Sequence, residues 1–405
     1  MIDLRSDTVT RPTSAMREAM QSAVTGDDVF KEDPEINELQ ERCAEMFGME
    51  AGLFCPSGTM TNQIAISVHT SKGDEVICDK LSHVYNYEGG GIARLAGASV
   101  KLMNGDRGRF TSEDVLEAIN PDDSHYANTS LVCLEDTCNK GGGAVWDLAQ
   151  IKLVSSTARN NGLAVHLDGA RLWNALVARG IQNDTKACSE YGSQFDSISL
   201  CLSKGLGCPV GSVLIGSKEF ISKAHRQRKV FGGGMRQAGV IAAAGIYALD
   251  NHIDRLFDDN KNAKVLGDAA LNYPGVKSYS SIDTNIVILH LEEGVDSSEV
   301  VEKWGELGIH CFPFSKSSIR FVTHLDLTQA QISQEITMAA KNSKDWVQKA
   351  GIKKGAFTEK AKKRGLTAAQ FQAKVLKDPT KFDSTTVKQA NLRKTLVSKK
   401  MKGKR

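Results

Sequence analysis

A single lysine closes an apolar, strand-like segment of this sequence. Lys204 follows residues 196–203 directly and precedes the glycines at 205 and 207. An ammonium group seldom ends an apolar strand for packing reasons, whereas a carbonyl cofactor such as pyridoxal phosphate needs one partly desolvated amine for a Schiff base. Lys204 is therefore a candidate cofactor anchor, and a solvated loop lysine is the alternative.

An acidic and a basic residue follow a second strand-like segment. Asp168 comes directly after Leu163–Leu167, and open α/β sheets bind their ligands at the carboxyl ends of their strands. An acid there is suited to hold a protonated pyridine nitrogen. Arg171 is suited to pair with a substrate carboxylate or with that acid, and a purely structural ion pair is the alternative.

Two further segments suit a flat, phosphorylated cofactor. Ser57, Gly58 and Thr59 open a predicted helix, whose free N–H groups and positive end favour a phosphate, although an ordinary helix cap is the alternative. His83 lies in a segment rich in tyrosine and glycine that also contains Glu88. Its imidazole is suited to stack on a cofactor ring, and a structural histidine is the alternative.

Besides Arg171, two further segments contain candidate carboxylate binders. Ser6 and its neighbour Arg5 lie in a polar N-terminal arm that would bind a carboxylate if it folds inward. Arg320 lies inside the otherwise apolar strand candidate at residues 318–322, and a buried guanidinium requires an anionic partner.

Apolar periodicity predicts the elements that position these residues. Strand candidates alternate with helices up to about residue 264, which indicates an α/β domain with a mostly parallel sheet. A smaller α+β domain is predicted at residues 265–345, with a helix over 328–341. Residues 346–405 form a basic extension with short predicted helices and a flexible end from Leu392.

Composition narrows the class of protein. The nine cysteines are scattered without CxxC pairs, so reduced core thiols are predicted and no metal site is. The chain has no 18-residue apolar run and no apolar segment typical of a signal peptide near Met1. We therefore expect a cytoplasmic protein without membrane contact.

Charge is distributed unevenly along the chain. Residues 351–405 contain 17 Lys and Arg against 3 Asp and Glu, whereas residues 1–350 contain 34 against 45. A basic segment on an acidic body indicates a separate unit that contacts a polyanion such as nucleic acid, and solvated surface charge is the alternative. The segment is similar to a Lys-rich module found on various proteins of large DNA viruses, so a virion-associated protein with a passenger body is a second functional class.

Seven segments in order resemble the low-specificity L-threonine aldolases, which are pyridoxal-phosphate enzymes of the aspartate-aminotransferase-like fold (fold type I). The resemblance spans residues 1 to about 345. The segments are residues 3–10, 56–59, 83–91, 135–143, 166–171, 203–207 and 232–236.

The resemblance implies roles for individual residues. Lys204 would anchor pyridoxal phosphate, Asp168 would pair with the pyridine nitrogen, and His83 would stack on the ring. Ser57, Gly58 and Thr59 match the phosphate segment; Ser6, Arg171 and Arg320 match substrate-carboxylate binders; His125 matches a histidine near the substrate hydroxyl; and Arg236 matches a residue that reaches the phosphate across a subunit interface. A homotetramer built from dimers with shared sites is implied.

Two departures from the family pattern concern substrate range and rate. Phe30-Lys31 stands where the family usually has Tyr-Gly, and Cys138 stands where it commonly has His. The implied reaction is retro-aldol cleavage of L-threonine or L-allo-threonine to glycine and acetaldehyde. The base for the β-hydroxyl is left open between His83, His125 and a water held by Glu88. Another lyase or a transaminase on the same fold is the remaining alternative.

Overall fold

The structure is a computed structural model that describes residues 2–328, 330–332, 356–383, 386–387 and 390. Most of the helix predicted over 328–341 and the basic end from Leu392 lie outside the described residues. Strands and helices are numbered here in chain order. The strands are β1 (Ile2–Asp3), β2 (Ala51–Cys55), β3 (Glu75–Asp79), β4 (Ser99–Met103), β5 (Thr129–Glu135), β6 (Ala164–Gly169), β7 (Ser197–Cys201), β8 (Ser212–Gly216), β9 (Val276–Tyr279), β10 (Ile286–Leu291), β11 (Ile309–His310), β12 (Phe312–Ser315) and β13 (Ser318–Val322). The α-helices are α1 (Ser14–Ser22), α2 (Pro34–Met46), α3 (Gly58–His69), α4 (His83–Asn86), α5 (Ser112–Ala118), α6 (Leu148–Asn160), α7 (Leu172–Arg179), α8 (Thr185–Gly192), α9 (Lys218–Val230), α10 (Gly239–Asn251), α11 (Leu256–Ala270), α12 (Ser297–Glu306), α13 (Ala356–Lys362) and α14 (Ala368–Lys377).

A seven-stranded sheet forms the centre of the larger unit, in the order β2-β8-β7-β6-β5-β3-β4. Strands β3 to β7 pair in parallel, and β8 runs antiparallel to both β7 and β2. Strand β2 therefore points the same way as β7. All strands except β8 end at one edge of the sheet, which is where this class of sheet binds ligands.

Helices cover the sheet because their apolar faces repeat at helical spacing. Helix α6 shows the pattern: the Asp147 side chain accepts a hydrogen bond from the N–H of Ala149, and Ile151, Val154 and Ala158 are buried. These side chains join a core that includes Val165 and other β6 and β7 residues. The predicted mostly parallel α/β architecture is thereby confirmed.

A smaller antiparallel sheet follows, in the order β12-β13-β10-β9. Its core combines strand residues with apolar residues of α11 and α12, among them Leu266 and Trp304. The N-terminal arm joins this unit, because β1 pairs in parallel with β11 and the N–H of Val322 donates to the carbonyl of Leu4 at 2.9 Å. The predicted smaller α+β unit is confirmed, and the arm ties it to the site.

The basic extension contains a small folded unit, called here the tail module (the described residues 356–383, 386–387 and 390). Helices α13 and α14 pack through an apolar core that includes Phe357, Phe371 and Val375. The short helices predicted from the sequence are therefore present in its described part. Among the residues that the structure describes, no helix combines the length and apolarity needed to cross a bilayer.

Candidate active site

Lys204 lies just beyond β7, at the edge where the parallel strands end. Its side chain is partly buried, and its carbonyl accepts a hydrogen bond from Thr10 Oγ1 at 3.1 Å. The same hydroxyl donates to the carbonyl of Asp7 at 2.8 Å. The N-terminal arm is thus fixed against the lysine turn, and a partly desolvated amine is placed at the predicted ligand edge.

Asp168 occupies the end of the neighbouring strand β6. The residue is 2% exposed, and its Oδ1 accepts a hydrogen bond from the N–H of Ala170 at 3.1 Å. Its Oδ2 is buried without a partner among the described residues. A buried, unpaired carboxylate oxygen is costly for the chain alone. The site therefore fits a cofactor that brings a donor to this oxygen, such as a protonated pyridine nitrogen.

His83 lies close to two carboxylates. Side-chain ligand atoms of His83, Glu88 and Asp168 all lie within 4.8 Å of one another, and His83 Nδ1 lies 2.9 Å from Glu88 Oε1. Burial of the ring opposes protonation, but the hydrogen bond to Glu88 and the charges of Asp168 and Glu135 outweigh it and raise the pKa of His83.

The spacing of His83, Glu88 and Asp168 would also suit a metal ion. However, Asn62 and Gln63 donate to the two Glu88 oxygens at 2.9 and 2.6 Å. Hydrogen bonds from the protein thus already hold this carboxylate.

Glu135 ends β5 opposite Asp168 in the strand register. Its two oxygens accept the N–H groups of His83 and Asn139 at 2.8 and 2.9 Å. Burial, reinforced by the charge of Asp168, raises the pKa of Glu135 to about 7. One carboxyl group therefore joins the His83 segment to the loop that contains Asn139.

Helix α3 begins at the carboxyl end of β2, on the same edge. Ser57 caps the helix through a hydrogen bond from the N–H of Met60 at 3.2 Å. Gly58 and Thr59 occupy the first two positions of the helix, where backbone N–H groups have no acceptor within the helix itself. A Cβ added at Gly58 would contact only Ser212 Oγ, at 3.5 Å, so the fold itself tolerates a side chain there. The open N–H groups and the space above them fit a phosphate.

Arg171 is already paired. Its Nε and Nη2 donate to the two Asp7 oxygens at 2.7 and 2.8 Å, with both side chains buried. Burial opposes ionisation of Asp7, but Arg171 outweighs it and lowers the pKa of Asp7 to about 2. Arg171 Nη1 also lies 3.5 Å from Asn139 Oδ1. The sequence predicted Asp168 or a substrate carboxylate as the partner of Arg171; in the structure its partner is Asp7, not Asp168.

No carboxylate among the described residues pairs with Arg320 in this way. Its Nη1 donates to Asn139 Oδ1 at 3.0 Å and its Nη2 to the carbonyl of Arg5 at 3.1 Å. Its Nε is buried without a partner among the described residues. Burial and the nearby Arg171 lower the pKa of Arg320, although Asp7 partly opposes this effect. A substrate carboxylate would supply the anion that this guanidinium lacks.

Three predicted site residues lie outside this constellation or at its margin. Ser6 caps the turn at Asp7, where its Oγ accepts from the N–H of Thr8 at 3.2 Å. His125 precedes β5, so it lies at the opposite edge of the sheet; its side chain is 85% exposed and contacts Asp123. Arg236 is 60% exposed and pairs with Asp27 at 2.7 Å.

The two departures from the family pattern lie in different environments. Phe30 is 68% exposed, and Lys31 adopts a left-handed backbone conformation with φ of 62°. Cys138 is 1% exposed, and burial raises the pKa of its thiol. A cavity of about 900 Å³, lined in part by Lys31, contains none of the predicted site residues.

Three residues of this site have no specific role in the sequence-based prediction and belong only to the family-like segments. Asp7 pairs with Arg171, Glu135 holds the His83 N–H, and Asn139 accepts hydrogen bonds from both arginines. Glu135 carried a usable signal, because an acid that ends an apolar strand requires partners, as does Asp168. The pairing of Asp7 with Arg171 carried no local signal.

Comparison with known proteins places these features in a family. The sequence model of the family described as beta-eliminating lyase matches residues 3–293 of this chain. The low specificity L-threonine aldolase of Escherichia coli (strain K12) is 41% identical over 336 residues, which is 82% of this chain and 97% of the relative.

Solved structures share the fold. A threonine aldolase from Leishmania major superposes with a TM-score of 0.73 at 18% identity and covers 85% of this chain and 100% of its own. A serine palmitoyltransferase (SPT), solved with bound pyridoxal phosphate, superposes with a TM-score of 0.63 at 19% identity and covers 85% of this chain and 87% of its own. The chain therefore belongs to the beta-eliminating lyase family and, within it, to the group of the low-specificity L-threonine aldolases.

Proposed function

We propose that this protein uses pyridoxal phosphate to cleave L-threonine and L-allo-threonine to glycine and acetaldehyde. The observation that carries the proposal is the unpaired, buried Oδ2 of Asp168 at the sheet edge where Lys204 lies. The chain has no partner of its own for this oxygen among the described residues, and a pyridinium N–H would supply one.

The residues present fit the cofactor. Lys204 would anchor it, Asp168 would keep its ring nitrogen protonated, His83 would cover the ring, and Ser57, Gly58 and Thr59 would hold its phosphate. When bound, pyridoxal phosphate supplies an electron sink for the bond that breaks next to the substrate amine. The contribution of the protein is to fix charges and orientation around that sink.

The arginines orient the substrate. Arg320 would bind the carboxylate through the buried Nε that lacks a partner, near Arg171, whose Nη1 shares the Asn139 oxygen with Arg320; Ser6 would contribute from the N-terminal arm. A carboxylate fixed on this side sets which bond at the α-carbon stands perpendicular to the cofactor ring. Cleavage of the Cα–Cβ bond, rather than loss of a proton, depends on that choice.

Removal of the β-hydroxyl proton stays open between His83 and His125; the third alternative, a water held by Glu88, is disfavoured because protein donors already hold the buried Glu88 oxygens. Glu88 holds Nδ1 of His83, so the other ring nitrogen is the one available to a substrate. His83→Phe separates the roles, because phenylalanine can stack on the ring but cannot accept a proton. We expect this variant to retain cofactor absorbance and lose turnover if His83 is the base.

We propose a cytoplasmic homotetramer built from dimers that complete each other's sites. All nine cysteines are buried free thiols, which supports a reducing compartment. The exposure of His125 and Arg236 in the single chain supports a role toward a neighbouring subunit. Mixing Lys204→Ala chains with Arg236→Ala chains tests this arrangement, because we expect each variant alone to have little activity: random reassociation should restore about a quarter of wild-type activity, since half of the dimers are hybrids with one intact site. No recovery would contradict shared sites.

Product analysis tests the reaction itself. Purified protein with pyridoxal phosphate and L-threonine should release glycine and acetaldehyde in equal amounts, and Lys204→Ala should release neither. 2-Oxobutyrate and ammonia as main products would identify a β-eliminating enzyme. Turnover that requires an added oxo acid would identify a transaminase.

A second function is proposed for the tail module, namely polyanion binding. Lys362, Lys363, Lys374 and Lys377 are exposed and have no acidic partner among the described residues. They surround a core of three contacting phenylalanines, so the charge is presented on a folded surface rather than on an unstructured tail. We favour nucleic acid as the partner because of the regular phosphate charge that such a surface neutralises.

Salt dependence tests the tail proposal. Affinity for duplex DNA should fall by roughly 100-fold between about 50 and about 200 mM salt if about four phosphates are neutralised. Changing the four lysines to Gln should abolish most of this binding without altering threonine cleavage. DNA binding that survives this change, or its absence in the full chain, would contradict the proposal.

A further inference from the structure

A buried string of hydrogen bonds runs from His83 through the sheet to His69. It passes through side chains of the His83 segment, helix α3 and strands β6 and β7. The links are His83 Nδ1 to Glu88 Oε1 at 2.9 Å, Asn62 Nδ2 to Glu88 Oε1 at 2.9 Å, His166 Nε2 to Asn62 Oδ1 at 3.1 Å, His166 Nδ1 to Ser197 Oγ at 2.8 Å, and His69 Nε2 to Ser197 Oγ at 2.8 Å.

The string lies in the interior of the protein. His166 and Ser197 are neighbours in the β6–β7 register and both are fully buried, and Asn62 is 2% exposed. Burial lowers the pKa of His166 to about 3 and that of His69 to about 4. Both rings are therefore neutral near pH 7, and each has one N–H donor and one bare acceptor nitrogen.

The direction of every bond follows from chemistry. A carboxylate only accepts, so the Asn62 amide must turn its NH₂ to Glu88 and its oxygen to His166. His166 must then carry its proton on Nε2, which leaves Nδ1 to accept from the Ser197 hydroxyl. Since that hydroxyl proton is used, His69 must donate from Nε2 to Ser197. All donors point toward Glu88.

The alternative explanation is a set of ordinary satisfied core polar groups. Pairwise satisfaction gives the same bond directions, so the two explanations differ only in whether the string, which ends at a carboxylate that contacts a site residue, sets the state of His83. Bonds aligned in this way strengthen one another. Transfer of protons along the string is excluded as its role, because the Asn62 amide does not exchange its protons as a hydroxyl or imidazole does.

Glu88 is held in one orientation as a result. Its Oε1 accepts from Asn62 and His83, and its Oε2 accepts from Gln63 at 2.6 Å. Its side chain has no exposed area, so water does not compete for these oxygens. Asn62 and Gln63 therefore fix the Glu88 carboxylate, and this carboxylate in turn fixes the position of His83 Nδ1. His83 is the one predicted catalytic residue among these three donors.

We propose that Asn62, His166 and Ser197, acting through Glu88, are positioning residues that hold a proton on His83 Nδ1 and make Nε2 the nitrogen that exchanges its proton with a substrate. This deepens the proposed function, on which it rests for the role of His83, since Nε2 accepts a substrate proton only when Nδ1 keeps its own. Second-layer partners of this kind set the tautomer and orientation of histidines in other active sites.

Nitrogen-15 NMR of histidine-labelled protein tests the tautomers directly, with and without cofactor. Single His→Phe variants at positions 69, 83 and 166 assign the signals. In the wild-type protein we expect His83 to be protonated on Nδ1 and both His166 and His69 on Nε2. A wild-type His166 that carries its proton on Nδ1 would overturn the proposed direction.

Two variants cut the string and one serves as a matched control. Asn62→Leu should convert His83 to a mixture of tautomers and lower kcat by about tenfold with a much smaller change in KM. Ser197→Ala, a milder change that should fold normally, should shift the His83 signals in the same direction by less. Ser199→Ala is the control: it removes a buried hydroxyl on the same strand, two residues from Ser197. The Ser199 hydroxyl lies 2.6 Å from Thr61 Oγ1 and is not part of the string, so its loss should leave the His83 signals unchanged.

The outcomes separate this inference from the proposed function. Unchanged His83 signals in folded Asn62→Leu and Ser197→Ala would overturn the positioning role even if threonine is cleaved. An equal shift in Ser199→Ala would also overturn it. Absence of threonine cleavage with the expected tautomers would instead contradict the proposed reaction and leave the hydrogen-bond string standing.

Discussion

Two arginines reach the same Asn139 oxygen from different units of the protein, but their charges are balanced differently. Arg171, which follows a strand of the large sheet, donates two hydrogen bonds to Asp7. Arg320, in the small sheet, contacts only neutral oxygens among the described residues and retains a buried, unpaired Nε. The large-sheet side is thus a completed ion pair, whereas the small-sheet side still requires an anion.

The largest effect should be on stability at Arg171. Arg171→Leu leaves the buried Asp7 carboxylate without its cation and should lower the free energy of unfolding by about 3–5 kcal/mol. Arg320→Leu removes a guanidinium that is poorly compensated in the free protein, so we expect a change within about 1 kcal/mol. Denaturant unfolding of the cofactor-free proteins compares the two. Equal destabilisation would show that Arg320 has an anionic partner in the fold.

Catalysis, unlike stability, should depend strongly on the charge of Arg320. Loss of a desolvated charge-assisted contact costs about 2–4 kcal/mol, so kcat/KM for L-threonine in Arg320→Leu should fall by roughly 30-fold to 1,000-fold. Arg320→Lys keeps a point charge without the planar donors and should recover part of this loss. Steady-state kinetics at saturating cofactor measure both. Near-wild-type kinetics of Arg320→Leu would place the carboxylate elsewhere.

The smallest effect is a pH signature that only the Asp7–Arg171 side should have. Because the folded pKa of Asp7 is lowered from 3.8 to about 2, its stabilisation is present above the unfolded pKa and is lost as the pH falls toward 2. Between about pH 5 and about pH 3 this amounts to about 1 kcal/mol. Between these two pH values the free energy of unfolding of the wild-type protein should therefore fall by about 1 kcal/mol more than that of Asp7→Asn. An equal fall in both proteins would show that the Asp7–Arg171 pair does not stabilise the fold in this way.

Local pattern predicted the placement of Lys204, Asp168 and Ser57, because each lies where an apolar strand ends and a turn or helix begins. Strand direction has no such signature, which is why the antiparallel course of β8 was not anticipated. The Arg171–Asp7 pair joins residues 164 positions apart, and no local pattern selects among the acids of the chain. Arg320 was predicted to need an anion, and the structure shows this need unmet by its described neighbours.

The buried string behind His83 was missed although part of its signal was present. His166 lies in the middle of an apolar strand, and the reasoning applied to Arg320 applies equally to a buried imidazole. Its partners Asn62 and Ser197 come from separate elements of the fold. The sequence therefore indicates that such a histidine needs partners, but only the packing of α3 on β6 and β7 shows which ones.

Every assignment in the site depends on Lys204 as the cofactor anchor. The most direct test is borohydride reduction of the protein loaded with pyridoxal phosphate, followed by peptide mapping by mass spectrometry. We expect loss of the visible absorbance and a pyridoxyl mass added to the peptide that contains Lys204, with no such label in Lys204→Ala. A label on another lysine in the wild-type protein would contradict the assignment of Lys204, whatever reaction the protein catalyses.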